Sequence, residues 1–132
     1  MRTEDYLGGS LNQLSVRVHQ ANKDKGFYDE PTEDGTRIAL MHSEVSELLE
    51  ANRKGKTVEE GINITDLLVI EDDTSFKKAY ESVVKGTEEE EVADIAIRNL
   101  DWSGFKGVDL ETHIALKLRY NSLRPHKHGK KY

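Results

Sequence analysis

Apolar residues recur at helical spacing in four stretches of the chain. Leu11, Leu14, Val18 and Ala21 fall three or four apart, which predicts a helix from about Ser10 to Lys23. Turn-like KDKGF and YDEPTEDG follow it. Ile38, Met41, Val45, Leu48 and Leu49 predict a second helix over Thr36 to Arg53, with Gly55 as its stop. A third is expected from Glu88 to Trp102, with Val92, Ile95 and Ala96 inward. Thr87 and Glu90 are spaced as a capping box at its start, and acids in the first turn suit the helix dipole. Leu110, Ile114 and Leu118 predict a fourth over Leu110 to Leu123, ended by Pro125.

Between the second and third helices lies a segment, 54–86, with weaker patterning. TSFKKAYESVVKG aligns Phe76, Tyr80 and Val83 and reads as a short helix stopped by Gly86. INITDLLVIEDD is rich in β-branched residues but has no evident partner strand, so it is expected to be irregular or briefly helical. There is no internal repeat and no low-complexity linker. The expectation is one all-α domain over residues 1–132: a bundle of about four main helices plus a short helix within 54–86, with a basic tail at 125–132.

Composition modifies this picture in one respect. Apolar residues make up 36% and charged residues 33% of the chain. So thin an apolar supply suits a small helical domain that completes its core by pairing with another copy. With no cysteine there is neither a disulfide framework nor thiolate chemistry. No apolar run reaches the roughly 20 residues of a membrane helix. The first residues, MRTEDYLGGS, lack the apolar core of a signal peptide. A cytoplasmic protein without a membrane partner is expected.

The net charge of −6 conceals an asymmetry. Glu111 is the last acid; six Lys or Arg follow it, leaving residues 1–111 with a balance of −12. Such an acidic body would repel a phosphate backbone, which argues against nucleic-acid binding.

The acids themselves are patterned. Glu44 and Glu47 stand in a helical row with Leu40 and Ala51; Glu91 and Asp94 repeat the three-residue spacing on the third helix, in a row with Arg98 and Asp101. If the two helices pack together, four carboxylates converge at the edge of the core. Two like charges ~5.5 Å apart repel by roughly 3 kcal/mol at an effective dielectric of ~20. A domain has only ~5–15 kcal/mol of stability. A partly buried cluster therefore needs protons, basic partners or a cation, and Mg²⁺ takes such oxygen ligands together with phosphates. The blander alternative is four solvated acids, with Arg98 bridging Asp94 and Asp101 on its own helix. Glu88 and Glu89 are expected to be an ordinary solvated helix start.

On the fourth helix Lys117, Asn121 and Arg124 share a face that suits polyphosphate oxygens. Lys127, His128, Lys130 and Lys131 follow. His113, His126 and His128 cross a helix end and make a poor transition-metal site. A carboxylate-bridged di-iron bundle would need Glu-x-x-His on inward faces, and the chain has none.

With these motifs in order, the chain resembles the MazG-like all-α nucleoside triphosphate pyrophosphohydrolases. The Glu-Glu-x-x-Glu pattern of that family is matched by Ser43-Glu44-Val45-Ser46-Glu47, and its Glu-x-x-Asp by Glu91-Val92-Ala93-Asp94. Lys117, Asn121, Arg124, Pro125 and the His-Gly-Lys of residues 128–130 look like its C-terminal signature. The similarity covers residues 10–53 and 87–132. Ser43 departs from the pattern, standing where a first Glu is common, and the 54–86 gap is longer than usual.

The resemblance implies Mg²⁺-dependent hydrolysis, with Mn²⁺ able to substitute, of a nucleoside triphosphate to monophosphate and pyrophosphate. A dNTP is the expected substrate. It also implies a homodimer or homotetramer. Glu44, Glu47, Glu91 and Asp94 would be the metal ligands and Glu47 the group that orients or deprotonates water. Lys117, Asn121 and Arg124 would hold phosphates, joined by Lys130 if the tail folds back. Phe27, Tyr28 and Trp102 are the aromatics available to stack on a base, with His19, Gln13 and Asn22 as polar contacts. The competing expectation is a non-catalytic helical adaptor that associates through its acidic and basic surfaces.

Overall fold

The structure is a computed structural model that describes residues 3–131, with the side chains of Thr3, Glu4 and His128 outside that description. Among the described residues it is all-helical. The five α-helices are α1 (Leu11–Asp24), α2 (Asp34–Arg53), α3 (Asp73–Val83), α4 (Glu88–Lys106) and α5 (Leu110–Ser122). Short 3-10 turns occupy Thr3–Tyr6, Ile64–Val69 and His126–Gly129. The ambiguous INITDLLVIEDD thus resolves into a single 3-10 turn, capped by the Asn63 side chain accepting from Thr65 N–H. No strand among the described residues is there to receive its β-branched side chains.

Helix starts follow the local chemistry. Ser10 and Gln13 form a complete capping box on α1. Thr87 Oγ1 accepts from Glu90 N–H on α4, as the spacing predicts. The reciprocal arm differs: Glu90 Oε2 accepts from Gly86 N–H, one residue before the cap. Asp109 caps α5 through Thr112 N–H and also accepts from Asn12, tying α5 to the start of α1.

α4 is the central helix and packs against both α1 and α2. It runs antiparallel to α2: Lys106 pairs with Asp34 at 2.5 Å at one end, and Asn52 donates to Glu88 at 2.9 Å at the other. α4 extends four residues beyond the expected Trp102 and stops at Gly107, whose φ is +66°. Gly104, inside it, acts as a close-packing residue, not a break. A Cβ there would lie 2.7 Å from both the Ser15 carbonyl oxygen and His19 Cβ. In the same contact Ser15 Oγ donates to the Leu100 carbonyl at 2.5 Å. The hydrophobic core is thin: Val18, Ala51 and Leu100 are its buried apolar residues among those described. No described helix is long and apolar enough to cross a membrane.

At the acidic start of α4 Glu89 is exposed, as expected of a solvated run, and Glu88 is half-buried, but both also make hydrogen bonds. Glu88 accepts from Asn52, Glu89 accepts from Val58 N–H at 3.1 Å, and Glu88 N–H donates to the Lys56 carbonyl at 2.8 Å. These acids pin the turn that leaves α2.

Gly104→Ala should lower stability by about 1–3 kcal/mol through overpacking against the α1 backbone. Gly35→Ala, in α2 with nothing within 4 Å of its added Cβ, should instead gain up to about 1 kcal/mol. Urea denaturation of the two variants checks the contrast.

Candidate metal centre and adjoining cavities

The antiparallel pairing of α2 and α4 places the two acidic rows along one seam. Glu44, Glu91 and Asp94 offer carboxylate oxygens within 4.8 Å of one another. Glu44 is buried, and Glu91 and Asp94 are half-buried. Glu47 lies outside this tight triad but lines the cavities on both sides of it. Charge crowding is visible in the acids' proton affinity. Burial, then Glu47 and Asp94, push the Glu91 carboxyl above the usual range. Burial, then Glu44 and Glu90, push Asp94 up, against a smaller opposing effect of Arg98. Glu91 Oε2 is shielded from water and has no hydrogen-bond partner. A buried acceptor left in that state is costly unless something supplies charge.

Arg98 supplies part of it. Its Nε donates to Glu44 Oε1 at 2.8 Å, across the helix seam. The blander alternative, a bridge between Asp94 and Asp101 on its own helix, gives way to this cross-helix pair. Asp101 is engaged elsewhere: His19 Nδ1 donates to its Oδ1 at 2.9 Å and Tyr28 donates to its Oδ2 at 2.8 Å. Arg37 lies over the Tyr28 ring, 3.9 Å from its centroid.

A cavity of about 500 Å³ opens beside the triad. Glu44, Glu47, Asp94 and Arg98 form one wall; Phe27, Asn22, Thr32 and Arg37 form another. Phe27 is 62% exposed, so its ring is presented to this space. Its neighbours in the expected base pocket behave differently: His19 and Tyr28 are held by Asp101 and by each other, with ring centroids 4.6 Å apart. Trp102 packs edge-on against Phe105, and Gln13 is used in the α1 cap. His42 is exposed. A second cavity of about 200 Å³ lies further along the seam, lined by Glu47, Glu50, Ala51, Lys54, Lys56, Gly86 and Glu91.

The basic face of α5 is not part of either wall. Lys117 and Arg124 gather around the Tyr120 ring, 5.0 and 5.9 Å from its centroid. Asn121 Oδ1 is shielded without a hydrogen-bond partner. Lys130 follows the last 3-10 turn and is exposed; the His128 side chain of the expected signature lies outside the described residues. One chain therefore brings the acids together and leaves the expected phosphate-binding bases on another surface. No family model, curated protein or solved structure matches this chain.

Sequence reasoning missed four contributors. Arg37, in the first turns of α2, has no motif around it and lines the larger cavity. Tyr80, from the 54–86 segment, hydrogen-bonds Glu90, and its hydroxyl is pushed up to about 12, first by burial and then by Glu90 and Asp94. Lys54 and Lys56 sit in a turn whose position depends on α4. Only Tyr80 carried a signal, its alignment with Phe76 and Val83.

Tyr28 provides a test of the Asp101 network. Burial and the hydrogen bond to Asp101 push its phenol from 10.0 to about 12. The folded value lies above the unfolded one, so its stabilisation is complete below pH ~10 and is lost as pH rises through 12. Alkaline absorbance titration should show a late tyrosinate step shared by Tyr28 and Tyr80; Tyr28→Phe should remove part of its amplitude and leave the Tyr80 part, and Asp101→Asn should move only the Tyr28 part to lower pH.

Proposed function

We propose that this protein is a Mg²⁺-dependent hydrolase that converts a nucleoside triphosphate, a dNTP by preference, to its monophosphate and pyrophosphate. On this reading the fold is a MazG-like bundle completed by self-association. One observation carries it: Glu44, Glu91 and Asp94 have carboxylate oxygens within 4.8 Å of one another, and two of them, Glu44 and Asp94, border a cavity large enough for a small ligand and lined by an exposed aromatic ring.

The donor set fits a hard divalent cation, since every ligand is a carboxylate oxygen. The partnerless Glu91 Oε2 gains the charge it lacks. Glu44, Glu91 and Asp94 would hold the cation, which would supply charge to offset the phosphates and to acidify a water at the site. Glu47 accepts the proton of that water, whose oxygen bonds to phosphorus. The bond to the bridging oxygen breaks and its electron pair leaves with the departing phosphate product. Arg98 and Arg37 place positive charge on the cavity wall as negative charge redistributes. Phe27 stacks on the base, with Asn22 offering an amide beside it.

Self-association is supported by area. A folded monomer of 15.0 kDa exposes roughly 7,000 Å² by the usual scaling. This chain exposes 10,069 Å². The excess is of the size that obligate partners bury. Exposed apolar side chains include a run on α5, where Leu116, Leu118 and Tyr120 are more than half exposed, with Leu123 just beyond. Lys117, Asn121, Arg124 and Lys130 enter the reading through this association, because within one chain they stand off the cavity walls.

Incubation with each NTP and dNTP should yield monophosphate and pyrophosphate only when Mg²⁺ is present. Glu47→Ala and Asp94→Ala should each reduce turnover at least a hundredfold while keeping the helical circular dichroism. Near-normal turnover in both would remove the metal-site assignment; diphosphate and phosphate as products would overturn the reaction. Absence of turnover together with a melting temperature indifferent to Mg²⁺ and nucleotide would favour the adaptor. Sedimentation should give a mass at least twice 15.0 kDa, and Leu118→Glu should shift it towards the monomer.

A further inference from the structure

The acidic seam has two ends, and they are chemically different. At the α2 N-terminal end Phe27, Asn22, Thr32 and Arg37 surround the larger cavity. At the α2 C-terminal end Lys54, Lys56 and Gly86 surround the smaller one, and Glu47 is common to both walls. Along α2, Arg37 precedes Glu44 by seven residues and Lys54 follows Glu47 by seven. Each step is two helical turns, about 10 Å. The carboxylates therefore lie midway between an aromatic compartment and a lysine compartment.

The lysine compartment is held in place by the start of α4. Asn52 donates to Glu88, Glu88 N–H donates to the Lys56 carbonyl, and Val58 N–H donates to Glu89. Gly86 N–H donates to Glu90 Oε2 at 2.6 Å. Gly55, with φ +63°, allows the tight turn between the two lysines. Three of the four consecutive acids of α4 are thus used to fix the lysine-bearing turn and the strip of backbone opposite it. The fourth, Glu91, faces the cavity they enclose. Lys54 makes an exposed pair with Glu50 at 2.9 Å, and Lys56 has no ion pair among the described residues. Two cations on a pinned turn, beside carboxylates able to hold a metal, make a compartment for a compact, highly charged anion.

We infer that Lys54 and Lys56 form the subsite for the outer two phosphates, so that the nucleotide lies along the α2–α4 seam with its nucleoside at Phe27 and its pyrophosphate leaving past the 54–56 turn. The inference rests on the hydrolase reading and adds a direction to it. It also accounts for the GTEEEE run, which builds the floor of the leaving-group compartment. Both lysines are exposed and take no part in the pinning through their side chains, so replacing them leaves the turn intact.

Calorimetric titration with inorganic pyrophosphate, and separately with nucleoside monophosphates, in the presence of Mg²⁺, tests the subsite without requiring turnover. The wild-type chain should bind pyrophosphate. The double variant Lys54→Gln, Lys56→Gln should bind it about tenfold more weakly and bind monophosphate unchanged. Phe27→Ala should do the reverse. Unchanged pyrophosphate affinity in the lysine variant, an equal loss of both ligands, or no pyrophosphate binding by the wild type would overturn the subsite. Wild-type hydrolysis of a triphosphate alongside any of those results would leave the hydrolase reading standing. Pyrophosphate binding that depends on the lysines, in a chain that hydrolyses no triphosphate, would support the subsite and overturn the hydrolase.

Discussion

The repulsion among carboxylates in the α2–α4 seam is the constraint on which the rest of the molecule depends. Glu44, Glu91 and Asp94 crowd their carboxylates together in this seam, with the exposed Glu47 beside them; two like charges ~5 Å apart repel by roughly 3 kcal/mol at an effective dielectric of ~20. One pairing, Arg98 with Glu44, offsets part of it from within the protein. Glu91 and Asp94 are left with raised proton affinity and Glu91 with a partnerless oxygen. A fold of marginal stability retains such a seam only if other contacts hold the helices together around it. Those contacts are at its ends and on its far side: Lys106 with Asp34, Asn52 with Glu88, and the close approach of α1 at Gly104.

The division of labour on α4 follows from this. One face meets α1 at the distance that Gly104 and the Ser15 hydroxyl permit. Another carries Glu91, Asp94 and Arg98 to α2. Its first turn fixes the 52–58 turn through Glu88 and Glu89. Asp101 is a fourth attachment, holding His19 and Tyr28 together under Arg37. The aromatic cluster is thereby made rigid from behind, and Phe27 is left on the cavity side. In the proposed function the rigid part positions and the exposed ring binds. α5 stands apart, tied to α1 through Asn12, Asp109 and Glu111 near its start, with an apolar surface along the rest of its length.

The helices were legible from apolar spacing, and their caps from single residues: the third helix starts at Glu88 because Thr87 caps it there. Their ends were less so. The expected end at Trp102 falls just short of Gly104, yet α4 continues through that glycine, because an approaching backbone from α1 requires a residue without a side chain. The three-residue spacing of both acidic rows was legible as well, but their meeting was conditional on the two helices packing, and the structure gathers Glu44, Glu91 and Asp94 with Glu47 outside the tight group. The partner of Arg98 was not, because cross-helix register is absent from local spacing.

The sequence by itself determined that this chain is helical, which faces are apolar, and that four patterned acids and a basic C-terminal end require an explanation. Periodicity, capping and charge are local properties, readable one helix at a time. The tertiary structure decided that Glu44 pairs with Arg98, that His19 and Tyr28 serve Asp101, that the basic face of α5 lies away from the acids, and that Lys54 and Lys56 stand at the end of their seam. Each of those depends on which turn of one helix meets which turn of another. That register is set by the closest-packing contact and by the turns between helices, neither of which any single segment encodes.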